Sequence, residues 1–403
     1  MRANRISAVA GTLAVGAAVL MLAARSSATP KVDYRELAHR LVSGSAQVHA
    51  GDMVLVLGGV RDAELLEDIA VEVAKVGGHP SIVFGSDRLD RMLYDDVPAK
   101  YDPVSAAFFM KYAGFVNAII AVDYGDNPAV LAGVAPARMA AQAKAGARAS
   151  ALLNKRAVRR VFLGNDLYPT AARATQFGVS QDQLADAFWS GVNVDYPTLR
   201  KTGAAVRGLL ARGRQLHITN PNGTDLTVSI RSRPVKVTNG AISEADVRKG
   251  GAATIVWLPA GEAIVTPVAG SARGVVVVDH YFFQGKPIEG LRLEFKAGRL
   301  TAMTAQSGLE PLKALYDAGA KGRDVFGAID LGFNPNVHLV PGSKMVAWMP
   351  AGMVTVAVGN NTWAGGSNNV NFGMAPFLPG STLNVDGKVL VDGGVLKVDV
   401  PAK

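Results

Sequence analysis

Between Val32 and about Arg207, short apolar runs alternate with segments of helical period, and after about Gly213 the helical period thins out. This change of texture restricts the fold more than any other feature. Met53-Val54-Leu55-Val56-Leu57 reads as a buried strand, and Gly58-Gly59 turns it into Asp62–Lys75. There Leu65, Leu66, Ile69, Ala70, Val73 and Ala74 recur at helical spacing. Ser81–Phe84, Ala118–Val122 and Arg160–Leu163 read as further strands, and the Ala-, Lys- and Arg-rich Ala137–Lys155 reads as a surface helix. Strands that alternate with helices call for a parallel sheet covered by helices. Beyond Gly213, the β-prone runs Gln215–Thr219, Asp225–Ile230, Val275–Val278, Leu291–Phe295 and Met353–Val358 are punctuated by Gly and Pro, with one further helix near Leu309–Ala318. The expectation is an α/β N-terminal domain over 29–207 and a β-rich α+β C-terminal domain over 208–403.

A chain of 403 residues with 49% hydrophobic and 19% charged residues has enough apolar material for two cores. It has no cysteine, which excludes disulfides, thiolate nucleophiles, thiolate-bound zinc and iron–sulfur clusters. Arg2 and Arg5 precede an uncharged run from Ile6 to Ala24, followed by Arg25 and the small residues Ser26, Ser27 and Ala28. This is the pattern of a secretory signal over 1–28 cleaved after Ala28, with an uncleaved anchor as the competing reading. Cleavage predicts a periplasmic or secreted protein that is not held at a membrane. It removes three arginines and no acid, so the net charge falls from +9 to +6. No basic cluster interleaved with aromatics accompanies that excess, so nucleic acid is not an expected partner.

Signatures of common chemistries are missing: there is no HExxH, no GxSxG and no GxxxxGK[ST]. Gly58-Gly59 lacks the third glycine of a dinucleotide fingerprint and reads as an ordinary strand-to-helix turn. The six histidines, at 39, 49, 79, 217, 280 and 338, show no ligand spacing.

An ordered series of motifs nevertheless resembles the thermophilic-type metallo-aminopeptidases, the aminopeptidase T family. Gly51–Val56 (GDMVLV) resembles that family's GDxVLI strand, Gly223–Thr227 its GTDLT turn, and Leu258–Pro267 (LPAGEAIVTP) its LPxGEVFTAP segment. Ile288–Leu293 with Gly298-Arg299-Leu300 resembles the strand pair that follows. Phe326–Pro335 (FGAIDLGFNP) resembles LGExGLGTNP, and Thr355–Gly359 (TVAVG) resembles HLALG. The resemblance implies a dinuclear divalent-metal centre that releases N-terminal residues from peptides, and it makes a homodimer plausible. Carried over position by position, the first ligand glutamate is Glu262. The second falls on Ala328, the HLALG histidine on Thr355, a tyrosine on Thr362, and the closing HxD pair on Asn371 and Gly373.

One carried-over anion cannot hold two cations against their mutual repulsion. The primary expectation is therefore an exported homologue without the dinuclear centre that binds a peptide or a small molecule. The alternative is an active metallo-aminopeptidase or a mononuclear metalloenzyme, with zinc, cobalt, manganese or iron held by relocated ligands: Glu262, Asp330 and His338. Asp330 would share a strand face with Ala328, and His338 would have to return past Asn334-Pro335. The amide-rich stretch Asn360, Asn361, Ser367, Asn368, Asn369 and Asn371, with Trp363, could equally bind a neutral polar ligand or be a glycine-rich turn.

Overall fold

A computed structural model of the chain describes residues 32–398, so the expected signal segment over 1–28 lies outside the described residues. Among the described residues, no helix is long and apolar enough to cross a membrane.

The first half supplies strands β1 (Met53–Gly59), β2 (His79–Gly85), β3 (Ala118–Val122) and β4 (Arg159–Leu163). Helices Ala63–Lys75 and Pro136–Lys155, among others, connect them. The strands are parallel, and successive side chains separate onto two covered faces. Val54, Val56, Ile120 and Val122 join the main core with Leu65, Leu66 and Ile69 of the first helix. Leu55, Ile119 and Ala121 pack instead with Ala149 and Leu153 of the second. Local chemistry starts the later helices. Ser180 and Gln183 form a reciprocal capping box for Gln181–Val192, and Asp195 accepts from Thr198 N–H at the start of Tyr196–Arg212.

After Arg212 the chain continues through β5 (Gln215–Asn220), β6 (Thr224–Ser229) and β7 (Val235–Thr238). It then enters β8 (Ile255–Leu258), which pairs in parallel with β4 and completes the sheet β2-β1-β3-β4-β8. The parallel layer thus takes its last strand from beyond the 207/208 division drawn from sequence texture.

The remainder is strand-rich and antiparallel: β9 (Glu262–Val265), β10 (Arg273–Phe283), β11 (Lys286–Lys296), β12 (Arg299–Thr304), β13 (Phe326–Gly332), β14 (Val354–Gly359), β15 (Gly373–Met374), β16 (Phe377–Leu378), β17 (Thr382–Val385), β18 (Lys388–Asp392) and β19 (Val395–Leu396). Three hairpins turn on a residue–glycine pair with positive φ at both positions: Gln284-Gly285, Ala297-Gly298 and Asp386-Gly387. Such turns match the twist of the strands they join. One antiparallel sheet runs β12-β11-β10-β6-β5-β17-β18-β19, and the other runs β15-β14-β13-β9-β7, with β16 beside β14. The fold class expected from the alternation of runs is the one observed.

A buried carboxylate–lysine face beneath three tryptophans

The site rests on the five-strand path β15-β14-β13-β9-β7, whose two faces differ in chemistry. Ala263, Val265, Ile329, Leu331, Val354 and Val356 point into the main core. The opposite face carries two cross-strand rows. One is Lys236–Ile264–Asp330–Thr355, and the other is Thr238–Glu262–Gly332. Because the side-chain period along a strand is two residues, Glu262 and Asp330 fall on the same side. Both are only 2% exposed.

The other wall is the carboxyl edge of the parallel sheet, where open α/β sheets present ligand-binding loops. Gly164 (φ +150), Asn165 (φ 45) and Asp166 (φ 59) follow β4 in left-handed conformations. A Cβ at Gly164 would lie 2.5 Å from Asp123 Cβ, so this turn has room only for glycine. The turn delivers the Asn165 amide, which donates to Glu262 Oε1 at 2.6 Å and to the Pro259 carbonyl at 3.1 Å. Thr238 Oγ1 donates to Glu262 Oε2 at 3.1 Å. Only Pro259-Ala260-Gly261 separates β8 from β9, so the chain passes from one sheet to the other at the site.

Between the walls lies a chamber of about 140 Å³ lined by Asn165, Asp166, Glu262, Asp330 and the indoles of Trp257, Trp348 and Trp363. It adjoins a groove of about 490 Å³ that shares Asp166, Trp348 and Trp363 and extends past Arg173, His280 and Tyr281.

Burial dominates the electrostatics. It pushes the Glu262 carboxyl up to about 7, against the pull of Asn165, Lys236 and Thr238. Burial, followed by the charge of Glu262, raises Asp330 well above the usual carboxylate range. Neither Asp330 oxygen has a partner of hydrogen-bond geometry, the adjacent Leu331 N–H exerting only a weak downward pull on the carboxyl, and the Thr355 hydroxyl beside it is likewise unpartnered. Burial lowers the Lys236 ammonium to about 7, although Glu262 and Asp330 both favour its charge. Lys236 Nζ donates to the Trp363 carbonyl at 3.2 Å and lies 4.1 Å from the centre of the Trp257 ring.

The structure brings together two of the three side chains expected of a relocated metal site. His338 is exposed and lines a separate cleft with Gln183, Asp186 and Ser190. The cause lies just upstream. Asn334 donates to the Gly191 and Ala260 carbonyls and Asn336 to that of Ser190, which lays the segment along helix Gln181–Val192. Among the described residues, no three His, Asp, Glu or Cys side chains gather closely enough to hold a metal ion. Ala328 is buried in a small apolar cluster with Ile264, Ala357, Ala364, Trp257 and Trp363. Thr362 donates its hydroxyl to Asn360, Asn371 accepts from Ala320 N–H, and Gly373 is an exposed residue of β15.

The amide-rich loop spends several of its side chains on backbone. Asn361 holds the Gly327 carbonyl, and Asn368 holds those of Gly322 and Gly359. Of that loop, Trp363 lines the chamber. Lys236, Asn165, Asp166, Trp257 and Trp348 were not anticipated. A lysine inside the apolar-flanked run Val235-Lys236-Val237 was the one local sign available.

Comparison with curated proteins gives no match. Among solved structures, wild-type AmpT from Thermus thermophilus superposes with a TM-score of 0.69 at 18% identity, covering 91% of this chain and 99% of that one. A 2,5-dihydroxypyridine dioxygenase from Pseudomonas putida KT2440 superposes with a TM-score of 0.55 at 14% identity, with the same coverages of 91% and 99%. These likenesses describe the fold. The family model for thermophilic metalloproteases (M29) matches residues 31–327, which includes the parallel sheet, the Asn165 turn, Lys236 and Glu262. The chain therefore belongs to the thermophilic metalloprotease (M29) family.

Proposed function

We propose that this member of the family works without a dinuclear metal centre and binds a peptide or small molecule in the tryptophan-lined chamber. The observation that carries the reading is the Lys236 ammonium, buried on the same sheet face as Glu262 and Asp330. An amine covalently part of the chain competes there with any added cation for the charge of the two carboxyls. Two added divalent ions would then have to be placed beside it with Glu262 and Asp330 as the anionic donors. Glu262 already accepts hydrogen bonds at both oxygens. The positions that the family resemblance assigns to further ligands hold an alanine, a threonine that donates to Asn360, an asparagine that caps a backbone amide, and a glycine. The threonine at 355 offers only a neutral hydroxyl.

The test is elemental analysis of purified protein, together with release of amino acids from aminoacyl-anilides in the presence of added zinc, cobalt, manganese or iron. Sub-stoichiometric metal and no turnover are expected. Stoichiometric metal that disappears in Glu262→Gln or Asp330→Asn would establish the alternative, a metalloenzyme with rearranged ligands. We propose further that the protein is exported after cleavage at Ala28, a reading supported by the basic start, apolar run and small residues at the N-terminus. The intact mass of the exported chain checks it.

A further inference from the structure

Resting on the ligand-binding reading above, we infer that the chamber recognises an organic ammonium group. Three indoles form its walls. The Trp257 and Trp363 rings meet at 80° with centroids 6.2 Å apart, and the Trp348 and Trp363 rings at 72° and 5.6 Å. Two of the rings are fixed through their N–H groups. Trp348 Nε1 donates to Asp166 Oδ2 at 2.9 Å, and Trp363 Nε1 donates to the Asn360 carbonyl at 3.0 Å. Faces held in this way carry the negative side of the indole quadrupole, which attracts a cation. The protein uses this attraction itself, since Lys236 Nζ lies over Trp257.

The polar lining offers acceptors and no cation of its own. Asp166, Glu262 and Asp330 line the chamber, while Lys236 lies over Trp257 outside the lining, and a cationic ligand would draw the two raised carboxyls toward their charged form. Asp330 is the decisive group, because it is 2% exposed, faces the chamber and has no partner for either oxygen. Buried polar groups are ordinarily hydrogen-bonded or ion-paired. A positively charged ligand would give Asp330 the partner it lacks. An anion would meet three carboxyl groups, and a neutral apolar group would leave Asp330 as it is.

Volume narrows the class. A cavity of about 150 Å³ accepts a benzene-sized molecule. The chamber's 140 Å³ therefore suits a small alkylammonium head, with the remainder of a larger ligand running into the adjoining groove past Trp348.

The experiment is calorimetric titration of the purified protein with choline and with 3,3-dimethyl-1-butanol, its neutral isostere, with tryptophan fluorescence as a second readout. Choline should bind saturably and quench the fluorescence, and the isostere should bind at least about tenfold more weakly. Asp330→Asn and Trp348→Phe, each checked for native circular dichroism, should each weaken choline by about fivefold or more. Equal binding of choline and isostere would overturn the ammonium assignment while leaving a ligand-binding protein. Binding of neither, or choline binding unchanged in both variants, would overturn it as well. Stoichiometric bound metal would instead sink the functional reading, whatever choline does, so the two failures are separable.

Discussion

The side-chain amide of Asn165 donates to Glu262 Oε1 at 2.6 Å and to the Pro259 carbonyl at 3.1 Å, tying the turn after β4 to the crossing between two sheets. Asn165 does this from a left-handed backbone (φ 45), which asparagine tolerates better than most residues. Asn165→Gly keeps that backbone and loses both hydrogen bonds, so it should cost about 1–3 kcal/mol in urea unfolding. Asn165→Ala should cost about 1 kcal/mol more, because a Cβ is disfavoured there. Equal losses in the two variants would show that the backbone conformation contributes nothing.

Glu262 predicts a pH dependence with a definite sign. Its carboxyl is raised from an ordinary 4.5 to about 7 in the folded chain. Below pH 4.5 both folded and unfolded chains hold the proton. Between 4.5 and 7 the unfolded chain releases it and the folded chain keeps it, so stability falls as pH rises. The loss is on the order of 3 kcal/mol across that window. Glu262→Gln removes the titration, so the stability of wild type relative to this variant should decline steadily from pH 4.5 to 7. A pH-independent difference would contradict the burial argument.

Lys236 acts with the opposite sign. Its ammonium is lowered from 10.5 to about 7, so its contribution is present above 10.5 and lost as pH falls through 7. In wild type this group alone makes stability rise from about pH 7 upward. Lys236→Met removes that rise. The variant should therefore weaken relative to wild type by up to about 1.4 kcal/mol per pH unit from pH 7 to 9. Parallel stability curves for the two proteins would remove Lys236 from the account.

Ala328 tests whether the face can still take a metal. It packs against Ile264, Ala357, Ala364 and two tryptophans, so Ala328→Glu inserts both volume and an unpartnered carboxyl. A loss of about 2–4 kcal/mol is expected, equal in EDTA and in zinc-containing buffer. A substantially smaller loss in zinc would mean that the glutamate had found a metal to bind, against the proposed function.

How much of this was readable in advance depended on how local the cause was. Strand β3, expected at Ala118–Val122, occupies the same residues, and helix Ala63–Lys75 begins one residue after the expected Asp62. A short β-branched apolar run bounded by turn residues, or a longer run of helical period, carries its signal within its own few residues. The shared face of Glu262 and Asp330 was partly readable, because motif resemblance placed one and the two-residue strand period the other. His338, the third candidate ligand, lines a separate cleft. Its position depends on side-chain hydrogen bonds from Asn334 and Asn336 to a helix some 140 residues earlier in the chain.

The order of strands and helices along the first half of the chain follows from the chain as written, because each element depends on neighbours in sequence. Assembly of the chamber does not. Lys236, Asn165 and the three tryptophans come from segments far apart along the chain, and each looks unexceptional in its own. They meet because β8 returns to the parallel sheet and β9 leaves it three residues later, which folds the carboxyl edge of one sheet over the face of another. Burial at that junction sets the charge of Glu262, Asp330 and Lys236, and desolvation is a property of the assembled solid that no stretch of sequence carries alone.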